Sequence, residues 1–167
     1  MQAATALVLA AGRGERMRPL TDVTPKPLLE VGGLPLIGWH LRRLAQAGHR
    51  HVVVNTAWLE AQVVSTFSQE GRDFGGALET GGGIVRALPH LADVFWVVAG
   101  DVFAPDLTFS MDIAQALAAS PERARLWLVP NPPHHPQGDF GLAHDRVMNL
   151  GPQDASPRYT FSTVGLY

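Results

Sequence analysis

Residues 6–28 read ALVLAAGRGERMRPLTDVTPKPL, and this single span holds an apolar run, a glycine-bearing turn and several cations. Ala6 to Ala11 suits a short strand covered on both faces. Gly12 and Gly14 follow at once. Lacking Cβ atoms, they let the chain turn sharply and bring backbone N–H groups close to an anion. Arg13, Arg16, Arg18 and Lys26 add positive charge to the same neighbourhood. Arginine supplies a planar fork for phosphate oxygens, and lysine a movable point charge. Pro19, Pro25 and Pro27 exclude a long regular helix after the glycines, so Lys26 sits on a stiff strap able to fold back over the loop. A lone Gly-x-Gly also occurs in ordinary strand-to-helix turns, and it is the strap that turns the reading towards phosphate.

Two common phosphate motifs do not fit. The Walker loop needs Gly-Lys-Ser/Thr after its glycines, and no such triplet occurs here. The dinucleotide fingerprint needs a small residue where Met17 stands and an acidic residue ending the next strand, which closes on Asn55. Hydride transfer is therefore not expected.

Downstream, Val31-Gly32-Gly33 marks a turn and Pro35 fits the first position of a helix. Leu36, Ile37, His40, Leu41, Leu44 and Ala45 recur at helical spacing, with Gly48 as a stop, which makes His40 a core or boundary residue rather than a catalytic one. His51 to Asn55 reads as a second buried strand and Trp58 to Phe67 as a second helix. Strand, helix, strand, helix predicts right-handed crossovers and a parallel sheet. Gly81, Gly82 and Gly83 then open a helix at a cost of roughly 1 kcal/mol each relative to alanine, an expense that a close backbone approach would explain. Val94 to Ala99 is the next strand, and it ends in Gly100-Asp101. A carboxylate just past the end of a parallel strand sits at the crevice where such sheets bind ligands. Because Mg²⁺ favours one or two carboxylates plus phosphate oxygens, Asp101 is a candidate metal ligand, though a strand-ending Asp is often only a turn former. Ser110 caps a helix through Ala119, and Arg125 to Pro130 forms another strand. Asn131 to Phe140 (NPPHHPQGDF) is a rigid loop whose adjacent histidines, His134 and His135, point oppositely and are not paired metal ligands. Asp145 to Leu150 and Tyr159 to Tyr167 alternate like the strands of a hairpin.

The 167 residues are 46% apolar, enough for one domain with a real core over residues 1–167. A net charge of −2 offers no basic field for nucleic acid. No apolar run approaches the ~18 residues needed to cross a bilayer, so no membrane partner is expected. The absence of cysteine excludes disulfides and thiolate metal sites, and it fits a reducing, cytoplasmic compartment. Composition says nothing of the oligomeric state.

Gly12-Arg13-Gly14-Glu15-Arg16-Met17-Arg18-Pro19-Leu20-Thr21 followed by Pro25-Lys26-Pro27 resembles the signature of the sugar-1-phosphate nucleotidyltransferases. The resemblance implies an α/β, Rossmann-like three-layer fold with a mostly parallel central sheet and helices on both faces. It implies a nucleotide site built from Ala11, Gly12, Gly14, Glu15, Arg16 and Lys26, with Gly81 and Gly82 flanking the base. Arg16, Lys26 and Asp101 become the catalytic candidates and Asp101 the Mg²⁺ ligand. The Glu79-Thr80-Gly81-Gly82-Gly83 form is similar to the uridylyltransferase and guanylyltransferase branches, and the Gly138-Asp139-Phe140 ending resembles the sugar-facing loop of the N-acetylmuramate-1-phosphate uridylyltransferases, which makes Gly138 and Asp139 the sugar-side candidates. The reaction implied is transfer of a nucleoside monophosphate to a sugar 1-phosphate. UTP with N-acetylmuramate 1-phosphate, a cell-wall recycling step, is the first expectation; GTP with mannose 1-phosphate, or a nucleotide-sensing module without turnover, is the alternative. Three departures stand out. A strand present in relatives is missing near residues 75–77, a second metal-binding Asp expected further along has no counterpart here, and Ala99 replaces an Asn that contacts sugar. A stretch missing near 75–77 and an absent C-terminal part would explain the first two.

Overall fold

Along the first strand, β1 (Ala4–Ala10), Ala6, Val8 and Ala10 point to one face and Leu7 and Leu9 to the other, so both faces must be covered. The computed structural model describes residues 4–67, 80–151 and 153–167. After β1 come α1 (Leu20–Val23), the short hairpin β2 (Glu30–Val31) and β3 (Leu34–Pro35), α2 (Leu36–Gln46), β4 (Val52–Thr56), α3 (Glu60–Phe67), α4 (Thr80–Ala87) and β5 (Leu91–Ala99). Then follow α5 (Met111–Ala118), β6 (Arg125–Val129), β7 (Phe140–Ala143), β8 (Arg146–Met148) and β9 (Arg158–Leu166). The expected stretch missing near residues 75–77 lies outside the described residues.

β4, β1 and β5 are neighbours and run parallel, as their helical crossovers require. From β5 outward the sheet is antiparallel, in the order β4-β1-β5-β9-β7-β8, with β6 also on β9. The sheet is thus mixed, with a parallel core of three strands, rather than mostly parallel. Residues 159–167 do not form a hairpin with 145–150. They enter the sheet beside β5, while the hairpin is β7 with β8. Alternation alone shows that a segment is a strand without naming its partner.

One face of the sheet packs Ala6, Val8, Trp96 and Val98 against Ile37 and Leu44 of α2, Leu117 of α5 and the buried Phe109. The opposite face packs Leu7, Val53, Phe95 and Val97 against Ala87 and Ile84 of α4, with Tyr167 stacked on Phe95. Helices therefore cover both faces, as expected. Two buried histidines sit under the first face. His49 accepts from the Thr5 hydroxyl at Nδ1 and donates to the Phe109 carbonyl from Nε2, tying β1 to the approach to α5. His40 lies fully inside against Phe109.

Candidate active site

The C-terminal ends of β1, β4 and β5 surround a cavity of about 710 Å³, the position where open α/β sheets bind ligands. Its floor is Leu9 to Arg13, one wall is Asn55, Ala57 and Trp58, and the other is Ala99, Asp101 and Thr163, with Lys26 and Pro27 leaning over the mouth. The Asn55 amide oxygen accepts the Ala10 N–H at 2.8 Å and so sets the exit of the chain from β1 into the glycine turn.

The turn itself interlocks with the strap. Gly14 has φ of +67°, and its carbonyl accepts the buried Thr21 hydroxyl at 2.8 Å. A Cβ on Gly14 would meet Thr21 Cγ2 at 2.9 Å and Lys26 Cβ at 3.1 Å. Glycine is needed here both for the left-handed backbone and for the close approach of the lysine. Replacing it, Gly14→Ala, is expected to cost about 2 kcal/mol, read as a Tm lower by about 4–8 °C, together with a loss of turnover. An unchanged melting curve would show that the turn tolerates the side chain.

Lys26 reaches the cavity because the prolines on either side of it, Pro25 and Pro27, are buried and Lys26 to Leu28 close into a single 3₁₀ turn. Its ammonium donates to Asp101 Oδ2 at 2.7 Å across 75 residues of sequence. Both side chains stay partly open to solvent. Asp101 is held in turn from the strand end. The Gly100 N–H donates to the Leu9 carbonyl at 2.8 Å, and a Cβ on Gly100 would press on Val8 and on that carbonyl, so β5 ends tight against β1. His40 Nε2 donates to the Val102 carbonyl at 2.7 Å, pinning the residue after Asp101. Among the described residues the buried Nδ1 has no partner, and burial pulls the imidazole pKa below its ordinary 6.5, so His40 is neutral at neutral pH. The unfolded chain takes up a proton at this histidine below about pH 6.5 that the native chain refuses, so His40 costs stability as pH falls from there. His40→Gln is expected to flatten the fall in Tm between about pH 7.5 and about pH 5.5, measured by calorimetry. An equal slope in parent and variant would mean that His40 takes up a proton in the native state too.

The structure gathers Ala11, Gly12, Lys26 and Asp101 around one cavity. Gly14 and Glu15 lie in the adjoining turn, and Arg16 sits in the exposed 3₁₀ turn Glu15–Met17, outside the cavity lining. Arg18 pairs on the surface with Asp22 at 3.1 Å. Gly81 and Gly82 fall in the first turn of α4. Gly138 and Asp139 close the loop between β6 and β7. Asp139 accepts the Phe161 N–H and lies 3.1 Å from His135 Nε2, and its own N–H donates to the Tyr159 carbonyl, so this residue holds the loop on β9.

Other residues join the lining. Arg13 lies on the lining with its guanidinium stacked 4.3 Å over the Trp58 ring, and Trp58 Nε1 donates to the Thr21 carbonyl, so the same threonine braces both glycine turn and arginine. Asn55 was legible as the polar end of a parallel strand, the place where such sheets bind ligands. Thr163 carried no signal, because its strand was read as half of a hairpin.

A family model described as the MobA-like NTP transferase domain matches residues 6–148. The chain belongs to this family of nucleotidyltransferases. The transferase is 50% identical, over 97% of its length and 74% of the relative's, to the N-acetylmuramate alpha-1-phosphate uridylyltransferase of Neisseria meningitidis. That match runs over 177 positions against 167 residues here, so the relative carries residues without a counterpart in this chain. The protein of that name from Caulobacter vibrioides is 35% identical over 97% of the chain and 73% of its own. Among solved structures, one from Bacillus anthracis assigned as a glucose-1-phosphate thymidylyltransferase superposes with a TM-score of 0.77 at 22% identity, covering 99% of this chain and 71% of that one, which shows the shared fold.

Proposed function

We propose that this transferase moves UMP from UTP to N-acetylmuramate 1-phosphate and releases pyrophosphate. The observation that carries the reading is the meeting of Lys26 and Asp101 at 2.7 Å by the glycine turn, a cation and a carboxylate brought together on the lining of one cavity. The choice of base and sugar rests on the likeness, over 97% of the chain, to two proteins that carry that name; guanylyl transfer to mannose 1-phosphate takes second place for that reason. The absence of cysteine fits an enzyme of the cytoplasm, and no described helix is long and apolar enough to cross a membrane.

The chemistry asks mainly for position and charge. A phosphate oxygen of the sugar 1-phosphate attacks the α-phosphorus in line, and the bond to pyrophosphate breaks as the new one forms. Two polyanions must be brought together, so cations and oriented N–H groups lower the barrier by cancelling charge that is already fixed in place. Backbone N–H groups from Ala11 to Gly14 and the Arg13 guanidinium face the triphosphate, and Lys26 stands where charge shifts between reactants. The family is typically metal-dependent. Asp101 presents one partly exposed carboxylate to the cavity, and no cluster of three metal-binding side chains gathers among the described residues. A single carboxylate completed by phosphate oxygens suits Mg²⁺, so the donor set fits. Such an ion would supply further neutralisation of phosphate charge. We infer that the nucleotide lies over β4 and β1, beside the glycine turn and Arg13, and the acceptor over β5 and β9, with Lys26 and Asp101 near both.

The protein should be incubated with each of UTP, GTP, CTP and dTTP and with N-acetylmuramate 1-phosphate, mannose 1-phosphate or glucose 1-phosphate, measuring released pyrophosphate. The pair UTP and N-acetylmuramate 1-phosphate is expected to have the highest kcat/KM. Preference for another pair would move the substrate assignment. No pyrophosphate from any pair would overturn the enzymatic reading.

A further inference from the structure

Among the described residues, Thr163 is the one position on the cavity wall where a β-branched residue holds a left-handed backbone, with φ of +58°. Such a conformation is unfavourable for threonine and persists only where its surroundings impose it. They do so here through a bulge. Leu126 of β6 pairs with Gly165 and Leu128 with Phe161, so the single Trp127 stands opposite Ser162, Thr163 and Val164. The flanks are fixed in opposite directions. The Ser162 hydroxyl donates to the Trp127 carbonyl at 2.7 Å, and Val164 is buried in the core. Thr163 is left on the cavity lining, one step beyond the Val98 and Val164 pair and so abreast of Ala99.

Among the described residues, the other polar side chains of the cavity each engage a neighbouring residue. Lys26 and Asp101 hold each other, Asn55 holds Ala10, Trp58 holds Thr21 and Arg13 lies on Trp58. Among the described residues the Thr163 hydroxyl has no such engagement, and beside it Ala99 contributes only a methyl group. We infer that Thr163 is kept strained at this bulge so that its hydroxyl hydrogen-bonds the sugar of the acceptor, making it a specificity-determining residue on the β5 and β9 side. The inference rests on the proposed uridylyl transfer and on the assignment of the two substrates to the two walls. The hydroxyl both donates and accepts, which suits a ligand rich in hydroxyl and amide groups.

Three variants test it, with steady-state kinetics in both substrates and a melting curve for each. Thr163→Gly relieves the backbone strain and removes the hydroxyl. It should raise Tm by about 2–4 °C while raising the KM for N-acetylmuramate 1-phosphate about tenfold and leaving the KM for UTP unchanged. Thr163→Ala should raise the acceptor KM equally with no gain in Tm, and Thr163→Ser should restore the parental value. Glycine and alanine variants that keep the parental acceptor KM would overturn the inference, as would equal rises in both KM values. A parent that turns over no sugar 1-phosphate would instead overturn the functional reading beneath it, and this inference with it.

Discussion

Lys26→Ala is expected to lower kcat by about 100-fold or more, equivalent to about 2.7 kcal/mol of transition-state stabilisation. The reason is positional. Pro25 and Pro27 anchor the strap in the interior, Gly14 gives the lysine stem room, and the ammonium arrives beside Asp101 already oriented. A charge held in place before the reaction costs no reorganisation when the phosphates change partners. Stability should change little. The ion pair with Asp101 is partly open to water, and such pairs contribute at most about 1 kcal/mol. The variant should therefore fold, melt within a few degrees of the parent and bind nucleotide through the glycine turn, yet turn over slowly. Turnover within a few fold of the parent would remove Lys26 from the mechanism.

Asp101→Asn is expected to reduce activity about 1,000-fold or more and to abolish its response to Mg²⁺. The amide keeps the shape of the side chain and removes the negative charge that a divalent ion needs. The placing of the residue does not depend on that charge, because it is set by the Gly100 bond to Leu9 and by His40 on Val102. The loss is therefore a loss of electrostatics rather than of fold. It is read from a Mg²⁺ titration of pyrophosphate release, with circular dichroism to confirm the native structure. Residual activity that still rises with Mg²⁺ at the parental midpoint would place the ion on another group.

Much of this site was legible in residues 6–28. An apolar run, two glycines and a lysine between prolines specify a strand, a sharp turn and a stiff strap by local chemistry alone, and the structure holds all three. Asp101 was legible by its place just past the end of β5. Arg16 and Arg13 show the limit. Both are arginines of the same turn, and spacing cannot say which one faces inward; Trp58, supplied by the start of the next crossover, draws Arg13 onto the cavity. Gly138 and Asp139 show another. A Gly-Asp step reads equally as a ligand contact or as a turn, and here the carboxylate accepts the Phe161 N–H across the loop.

By itself, then, the sequence determined the strands and helices of the parallel core, the glycine-bearing form of the first turn and the two charged groups facing each other across it. Those depend on side-chain periodicity, on the missing Cβ of glycine and on the ring of proline, which act within a few residues. Tertiary structure alone decided that β9 runs antiparallel beside β5, that the bulge opposite Trp127 forces Thr163 into a left-handed conformation on the cavity wall, and that Thr21 braces both the glycine turn and Trp58. These depend on which strand pairs with which and on contacts between distant segments, and no local pattern encodes a partner.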